Sequence, residues 1–238
     1  MKIKLLKKLI VVCLVLISII NFSIPVKCQE NNENQKVIYL TFDDGPAAKI
    51  TENTLDILKK ENVPATFFLI GEQIKGQENL IKRMYCEGHS LGLHSMTHKK
   101  GNLYCSNEQF LKEMLDTQKL IDCVVGIKPV ILRFPFGCNN NYYKINNSLI
   151  ELLHENNLKI YDWNVDSGDG ANHCAAPSTF IKKSKSDKDR VILLMHCGYM
   201  NKNSVKALPQ VIKYYKDNGY EFKAIDSDTP EEYHIIKK

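Results

Sequence analysis

From residue 37 to residue 225 the chain alternates short β-branched or aromatic runs with stretches of helical periodicity. That alternation narrows the possible folds more than any other feature. Strands separated by helices pair in parallel, because a helical crossover brings the chain back to run in the same direction. Strands are expected at 37–42, 65–70, 89–93, 130–134, 159–165, 191–195 and 220–225, with helices over 51–61, 80–86, 148–156, 178–184 and 204–218. The clearest helix starts at Ser106, where Ser106 and Gln109 have capping-box spacing; Phe110, Leu111, Met114, Leu115 and Ile121 supply its apolar face and Gly126 closes it. Pro209 lacks an N–H, so the regular part of the last helix is expected to begin close to it. No internal repeat or low-complexity tract interrupts the pattern. An α/β fold is expected, a parallel sheet, open or closed, in a single domain over 37–238.

The first residues stand apart. Lys2, Lys4, Lys7 and Lys8 precede an apolar run from Leu9 to Ile20, which reads as an export signal or a retained membrane anchor over 1–28. Residues 29–36 are a polar linker. The net charge of +5 comes from 32 basic and 27 acidic residues. The first 28 residues hold five Lys and no acid, so the remainder is balanced, which excludes a nucleic-acid footprint. Of the eight Cys, six lie in the body: Cys86, Cys105, Cys123, Cys138, Cys174 and Cys197. In an exported chain they are open to two readings, three disulfides or free buried thiols. The absence of a Cys-x-x-Cys pair argues against a structural zinc site.

The chemistry collects at strand ends. Asp43-Asp44 ends the first strand, and two adjacent carboxylates in a half-buried place require a cation or a proton between them. His94 and His98, four apart on a helical turn or a turn-like loop, point the same way; two His plus a carboxylate is a common catalytic metal set. Arg133 ends the strand at 130–134, Asp166 and Asp169 follow the strand at 159–165, and His196 ends the run Val191 to Met195. Each has an ordinary explanation alone: a turn, a surface cation, a core His. Five clusters at C-terminal strand ends converge on one face of a (β/α) barrel, where active sites form. His89, His154, His173 and His234 have no partner pattern and are set aside. Trp163, the only Trp, falls within an expected strand and reads as core.

Five motifs occur in order: Thr41-Phe42-Asp43-Asp44-Gly45-Pro46, His94-Ser95-Met96-Thr97-His98, Arg133-Phe134-Pro135-Phe136-Gly137, Asp166-Ser167-Gly168-Asp169 and Leu194-Met195-His196. Together they closely resemble the polysaccharide deacetylase family, whose domain is the NodB homology domain of carbohydrate esterase family 4. The resemblance implies a distorted (β/α) barrel and metal-dependent removal of acetyl groups from N-acetylated sugars. It implies Asp43 as catalytic base, and Asp44, His94 and His98 as ligands of one divalent ion, zinc first, with cobalt, nickel or manganese as substitutes. Arg133 would position Asp43, the Phe136 backbone N–H would donate to the oxyanion, and His196, tuned by Asp169, would be the acid. Leu194 and Pro135 would contact substrate. Two residues depart from the family pattern: Phe136 stands where Tyr is usual, and Gly170 where Trp is common, which removes one wall of the acetyl pocket.

A Lys-, Asn- and Ile-rich exported enzyme is expected to be bacterial, monomeric and to meet peptidoglycan first, at its N-acetylglucosamine residues. Chitooligosaccharide, exopolysaccharide or xylan acetyl groups are the alternative substrates. A catalytically silent wall-binding protein would have lost Asp43 or His196, and both are present. A metal-dependent amidase on small non-sugar substrates is the third reading, against which a shallow open groove with sugar-stacking aromatics would speak.

Overall fold

The computed structural model describes residues 35–234. The expected leader (1–28) and most of the linker lie outside the described residues. The described residues form one compact unit, and no helix among them is long and apolar enough to cross a membrane.

Eight strands alternate with seven α-helices among the described residues. In order they are β1 Val37–Gly45, α1 Ala48–Glu61, β2 Thr66–Leu69, α2 Glu78–Cys86, β3 Ser90–Leu93, α3 Lys100–Leu103, α4 Asn107–Val125, β4 Ile131–Leu132, α5 Asn147–Glu155, β5 Lys159–Ile160, β6 Val165–Asp166, α6 Pro177–Lys183, β7 Arg190–His196, α7 Lys202–Asp217 and β8 Glu221–Lys223. Every ladder is parallel, in the order β5-β4-β3-β2-β1-β7-β6. β8 pairs with the lower half of β1, opposite Val37–Tyr39, while β2 takes its upper half from Thr41 onward. The Ser106 cap forms as its sequence implies, its hydroxyl accepting from Gln109 N–H, and Gly126 ends the helix in the left-handed conformation.

The sheet's two edges, β5 and β6, are neighbours in the chain. Residues 161–164 join them, and five Cα steps from Ile160 to Val165 reach no more than roughly 18 Å. The sheet must therefore curl until its edges meet, which gives the distorted (β/α) barrel with a seam between β5 and β6. The single strand expected over 159–165 is thus two, one on β4 and one on β7. Trp163 sits in that seam and lines the cleft, instead of lying in the core.

Period-two alternation sorts the strand residues. Ile38, Leu40, Phe42, Val191, Leu193 and Met195 pack under the helices. Tyr39, Phe68, Ile131, Tyr161, Ile192 and Ile225 form a separate inner cluster. Gly92 belongs to the inner set: a Cβ there would lie 2.5 Å from the Phe68 ring. Continuing the same parity to the strand tips brings Asp43, His94, Arg133, Leu194 and His196 inward together. Burying each aliphatic side chain of β7 stabilises by about 1.5–3 kcal/mol, so the tip residues stand on a stiff base.

Pro209 lies well inside α7, which begins at Lys202 rather than near the proline. The missing i→i−4 bond is tolerated because Ala207, Leu208, Val211 and Ile212 bury the helix against the sheet. The six body cysteines are free thiols, with Cys138 and Cys197 buried and the others exposed.

Candidate active site and metal centre

Asp43 and Asp44 share the cleft because the strand breaks its alternation there. The β1–β2 register shifts between Phe42 and Gly45, and Asp44 takes φ 66°. Such a bulge re-aims a side chain that would otherwise face away. Ser95, His98 and Phe136 also have positive φ, at 69°, 56° and 67°. Four of the seven non-glycine residues with positive φ among the described residues therefore sit at one cleft, the usual location of stored backbone strain.

Asp44 Oδ1 lies 3.5 Å from His94 Nε2 and 3.4 Å from His98 Nε2. These three ligand atoms form the one such cluster among the described residues. Asp44 Oδ1 is buried and has no hydrogen-bond partner. Three donors on a tetrahedral ion at about 2.0–2.1 Å are roughly 3.3–3.4 Å apart, so the set fits a small divalent ion. The His94 tautomer agrees: Nδ1–H donates to the Arg133 carbonyl at 2.9 Å, which leaves the Nε2 lone pair free. Burial, helped by the neighbouring His98, pushes the His94 pKa down to about 3 and keeps the ring neutral. The spacing of His94 and His98 is that of a loop, not a helical turn.

Arg133 is wholly buried and spans the barrel. Its Nη1 donates to Asp43 Oδ1 at 2.9 Å and to Thr41 Oγ1 at 2.6 Å, its Nε to the Tyr161 carbonyl at 2.7 Å, and its Nη2 to the Asp162 carbonyl at 3.0 Å. The guanidinium lies 4.3 Å from the Phe68 ring centre. Burial raises the Asp43 pKa above its ordinary value, with Arg133 opposing the rise. Asp43 thus combines a fixed orientation with the basicity that a general base requires.

Across the β1–β7 ladder Asp43 is the register partner of His196. Asp169 holds His196 twice: Oδ1 lies 2.7 Å from Nδ1 and Oδ2 accepts the backbone N–H at 2.9 Å. Burial would lower the His196 pKa, but the Asp169 bond and charge outweigh it and raise the value to about 9. Asp169 is itself held low by those bonds, against the effect of its burial. The ring rests on Gly170, where a Cβ would stand 2.5 Å from Cε1.

The cleft has a volume of about 690 Å³ and is lined by Asp43, Asp44, His94, His98, Phe136, Asp169, Leu194 and His196 among others. Phe136 is half-exposed, its ring 4.7 Å from that of His98. Among the described residues no hydrogen bond uses its backbone N–H. Pro135 is buried beneath and does not line the cleft; its carbonyl accepts from Tyr104. His173, set aside on sequence, borders the cleft. The other three are elsewhere: His89 Nδ1 accepts from Ala65 N–H at 3.1 Å, His154 pairs with Glu231, and His234 is near Glu232.

Two positioning residues escaped the sequence reading. Glu113 of α4 is buried and accepts from Thr97 N–H at 2.8 Å and from the Thr97 hydroxyl, which pins the loop between His94 and His98. A Glu inside the stripe Phe110, Met114, Thr117 and Ile121 is the signal that marks it. The Asp162 carboxylate accepts from Cys138 N–H at 3.0 Å, next to the left-handed pair Phe136 and Gly137, and burial raises its pKa. Its signal was hidden by the unbroken strand pattern around it.

Residues 30–159 match the family model described as polysaccharide deacetylase. A peptidoglycan-N-acetylglucosamine deacetylase of Bacillus cereus is 37% identical over 205 residues, 84% of this chain and 72% of the relative. One of the same name from Listeria monocytogenes is 34% identical over 206 residues, 87% of this chain but 41% of that longer protein. Among solved structures, a polysaccharide deacetylase from Bacillus cereus superposes with TM-score 0.76 at 36% identity, covering 84% of this chain and 96% of the other. The catalytic domain of a peptidoglycan N-acetylglucosamine deacetylase from Eubacterium rectale superposes with TM-score 0.78 at 30% identity, covering 87% and 96%.

Proposed function

The chain belongs to the polysaccharide deacetylase family, and on that premise we propose that it removes N-acetyl groups from N-acetylglucosamine residues of peptidoglycan outside the cell. The observation that carries this reading is the pair of oriented acid–base groups, Asp43 on Arg133 and His196 on Asp169, flanking one three-donor metal set.

Asp44, His94 and His98 would hold a divalent ion, zinc first, which when bound would supply Lewis-acid chemistry to the acetyl carbonyl and to water. Asp43 takes a proton from the attacking water, with Arg133 fixing the direction of its carboxylate. The carbonyl carbon becomes tetrahedral, and the Phe136 N–H donates to the oxygen that gains charge. His196 then gives its proton to the sugar nitrogen as the C–N bond breaks. The amine and acetic acid leave, the acid ionising to acetate; the proton on Asp43 passes to solvent and His196 takes one back from solvent, which restores the pair. Leu194 borders the space for the acetyl methyl, where Gly170 leaves the wall open. We assign the catalytic domain to 37–238, export or membrane anchoring to 1–28, and a monomeric state.

Acetate release from the purified protein, reconstituted with zinc and given peptidoglycan and N-acetyl chitooligosaccharides in parallel, tests the reading. Release from peptidoglycan is expected. Release from chitooligosaccharide alone moves the natural substrate to chitin-like polymers. Release from neither, with metal bound, leaves the silent wall-binding protein as the better account.

A further inference from the structure

Of the five large apolar side chains that are exposed among the described residues, three line the cleft: Phe136, Tyr199 and Met200. Tyr199 and Met200 reach it from the loop after β7 and Phe136 from the loop after β4. Tyr142 joins Phe136 through Lys100, whose Nζ stands 3.4 Å from the Tyr142 ring centre and 4.9 Å from that of Phe136. The ammonium is thus held on an aromatic shelf next to His98, itself 4.7 Å from the Phe136 ring. Among the described residues Lys100 has no carboxylate partner, whereas its neighbour Lys99 is paired with Glu72 at 3.6 Å.

We propose that this shelf is a subsite for the sugar adjoining the reacting N-acetylglucosamine, and that Lys100 there binds a carboxylate carried by that neighbour. The inference rests on the deacetylase reading and deepens it. Exposed aromatic faces suit pyranose rings, whose C–H groups are the apolar part of a sugar, and a fixed ammonium adds selection by charge. In peptidoglycan the adjoining sugar is N-acetylmuramic acid. It carries a lactyl carboxylate where the stem peptide is absent, and the stem's own carboxylates where it is present. A chitooligosaccharide offers neither. The shelf abuts the metal set through Phe136, so its occupant is the next ring along the polymer rather than the acetyl group.

The test compares three substrates: peptide-free glycan strands, intact peptidoglycan and N-acetyl chitopentaose. For the zinc-loaded full chain, the ratio of kcat/KM on each glycan to that on chitopentaose is measured. K100M is expected to lower that ratio about two- to fivefold through KM, the scale of one exposed ion pair, and K100R to restore it. The wild-type ratio should also fall as salt is raised. A lowered ratio on peptide-free strands identifies the lactyl carboxylate, and one confined to intact peptidoglycan identifies the stem. An unchanged ratio in K100M, or a loss that K100R does not restore, overturns the proposal. Glycan-strand affinity of D43N and of D43N/K100M gives a reading independent of turnover; equal dissociation constants overturn the subsite even if no acetate is released by any variant. Absence of acetate from the wild type with all three substrates counts instead against the deacetylase reading.

Discussion

Arg133 Nη1 lies 2.9 Å from Asp43 Oδ1, and both side chains are sealed from solvent inside the barrel. The pair joins β4 to the tip of β1 and, through Tyr161 and Asp162, to the seam that closes the sheet. One guanidinium therefore ties the closure of the barrel to the orientation of Asp43. Removing it strands a buried carboxylate, which costs about 3–5 kcal/mol in comparable pairs. Arg133→Met should lower the melting temperature, raise the Asp43 pKa further and free its carboxylate from its fixed direction, so turnover falls by orders of magnitude. Arg133→Lys should not recover it, because a single ammonium cannot make the fork of bonds to β1 and the seam. Near-wild-type melting and acetate release in the methionine variant would refute the dual role.

Asp43 and Asp44 are adjacent in sequence but assigned to different tasks. Asp43→Asn should lose turnover and retain the metal, while His94→Ala or His98→Ala should lose both. Metal content after dialysis, measured beside acetate release, separates the two classes. Stripping the ion with a chelator should abolish activity, and zinc should restore it. A metal-free Asp43→Asn protein would place Asp43 in the ligand set.

On the proposed mechanism the His196–Asp169 pair should set the alkaline limit of activity. With the His196 pKa raised to about 9, the ring stays protonated through neutral pH, and kcat/KM should decline above that value. In Asp169→Asn only the charges of Asp43 and Asp44 still oppose the burial that favours the neutral ring, so the decline should move to lower pH. Stability follows the same sign. A raised His pKa contributes fully below the unfolded value of about 6.5 and is lost as pH rises through about 9. Asp169, whose pKa is lowered, contributes above its unfolded value and loses that contribution as pH falls through the folded one. Melting temperatures across this range, compared between wild type and Asp169→Asn, check both limbs. A wild-type alkaline limb near 6.5 would exclude Asp169 as the tuning group.

The strand tips were legible because each ends an apolar run whose parity can be counted: Ile192, Leu194 and His196 share a face, as do Tyr39, Thr41 and Asp43. Local patterning determines that much. Features that depend on closure were not legible. Tyr161-Asp162-Trp163-Asn164 continues a strand-like pattern, and only the need to cross from β5 to β6 breaks it. The bulge that turns Asp44 toward the histidines leaves no trace in composition, since Asp-Gly also suits an ordinary turn. Pro209 misled because propensity weighs one residue, whereas burial of the whole α7 face decides the helix.

Gly170 is where a family departure meets the acid. Any Cβ there would overlap the His196 ring, at 2.5 Å from Cε1. Gly170→Ala should therefore push the imidazole off its Asp169 bond and lower kcat by ten- to hundredfold, on the scale of a misplaced general acid. Metal content should be retained. Full activity in the alanine variant would mean that the loop after Asp169 yields more easily than its packing suggests.

Glu113 gives the sharpest test of how the metal loop is held. His98 depends on its loop: its N–H donates to Ser95 Oγ at 2.9 Å, and the preceding Thr97 is gripped by the Glu113 carboxylate through both N–H and hydroxyl. Glu113 touches neither the ligand atoms nor the acid–base pair, so its effect must pass through loop position. Outer partners of this kind typically change metal affinity by about 10–100-fold when removed. Glu113→Ala should weaken zinc binding by that factor, and excess zinc should recover much of kcat. Glu113→Gln keeps the acceptor for Thr97 and should lie near wild type in both respects. If alanine and glutamine variants lose affinity equally, the charge of Glu113 matters rather than its grip on Thr97. If neither loses affinity, β3 and its Ser95 cap alone hold His98 in place.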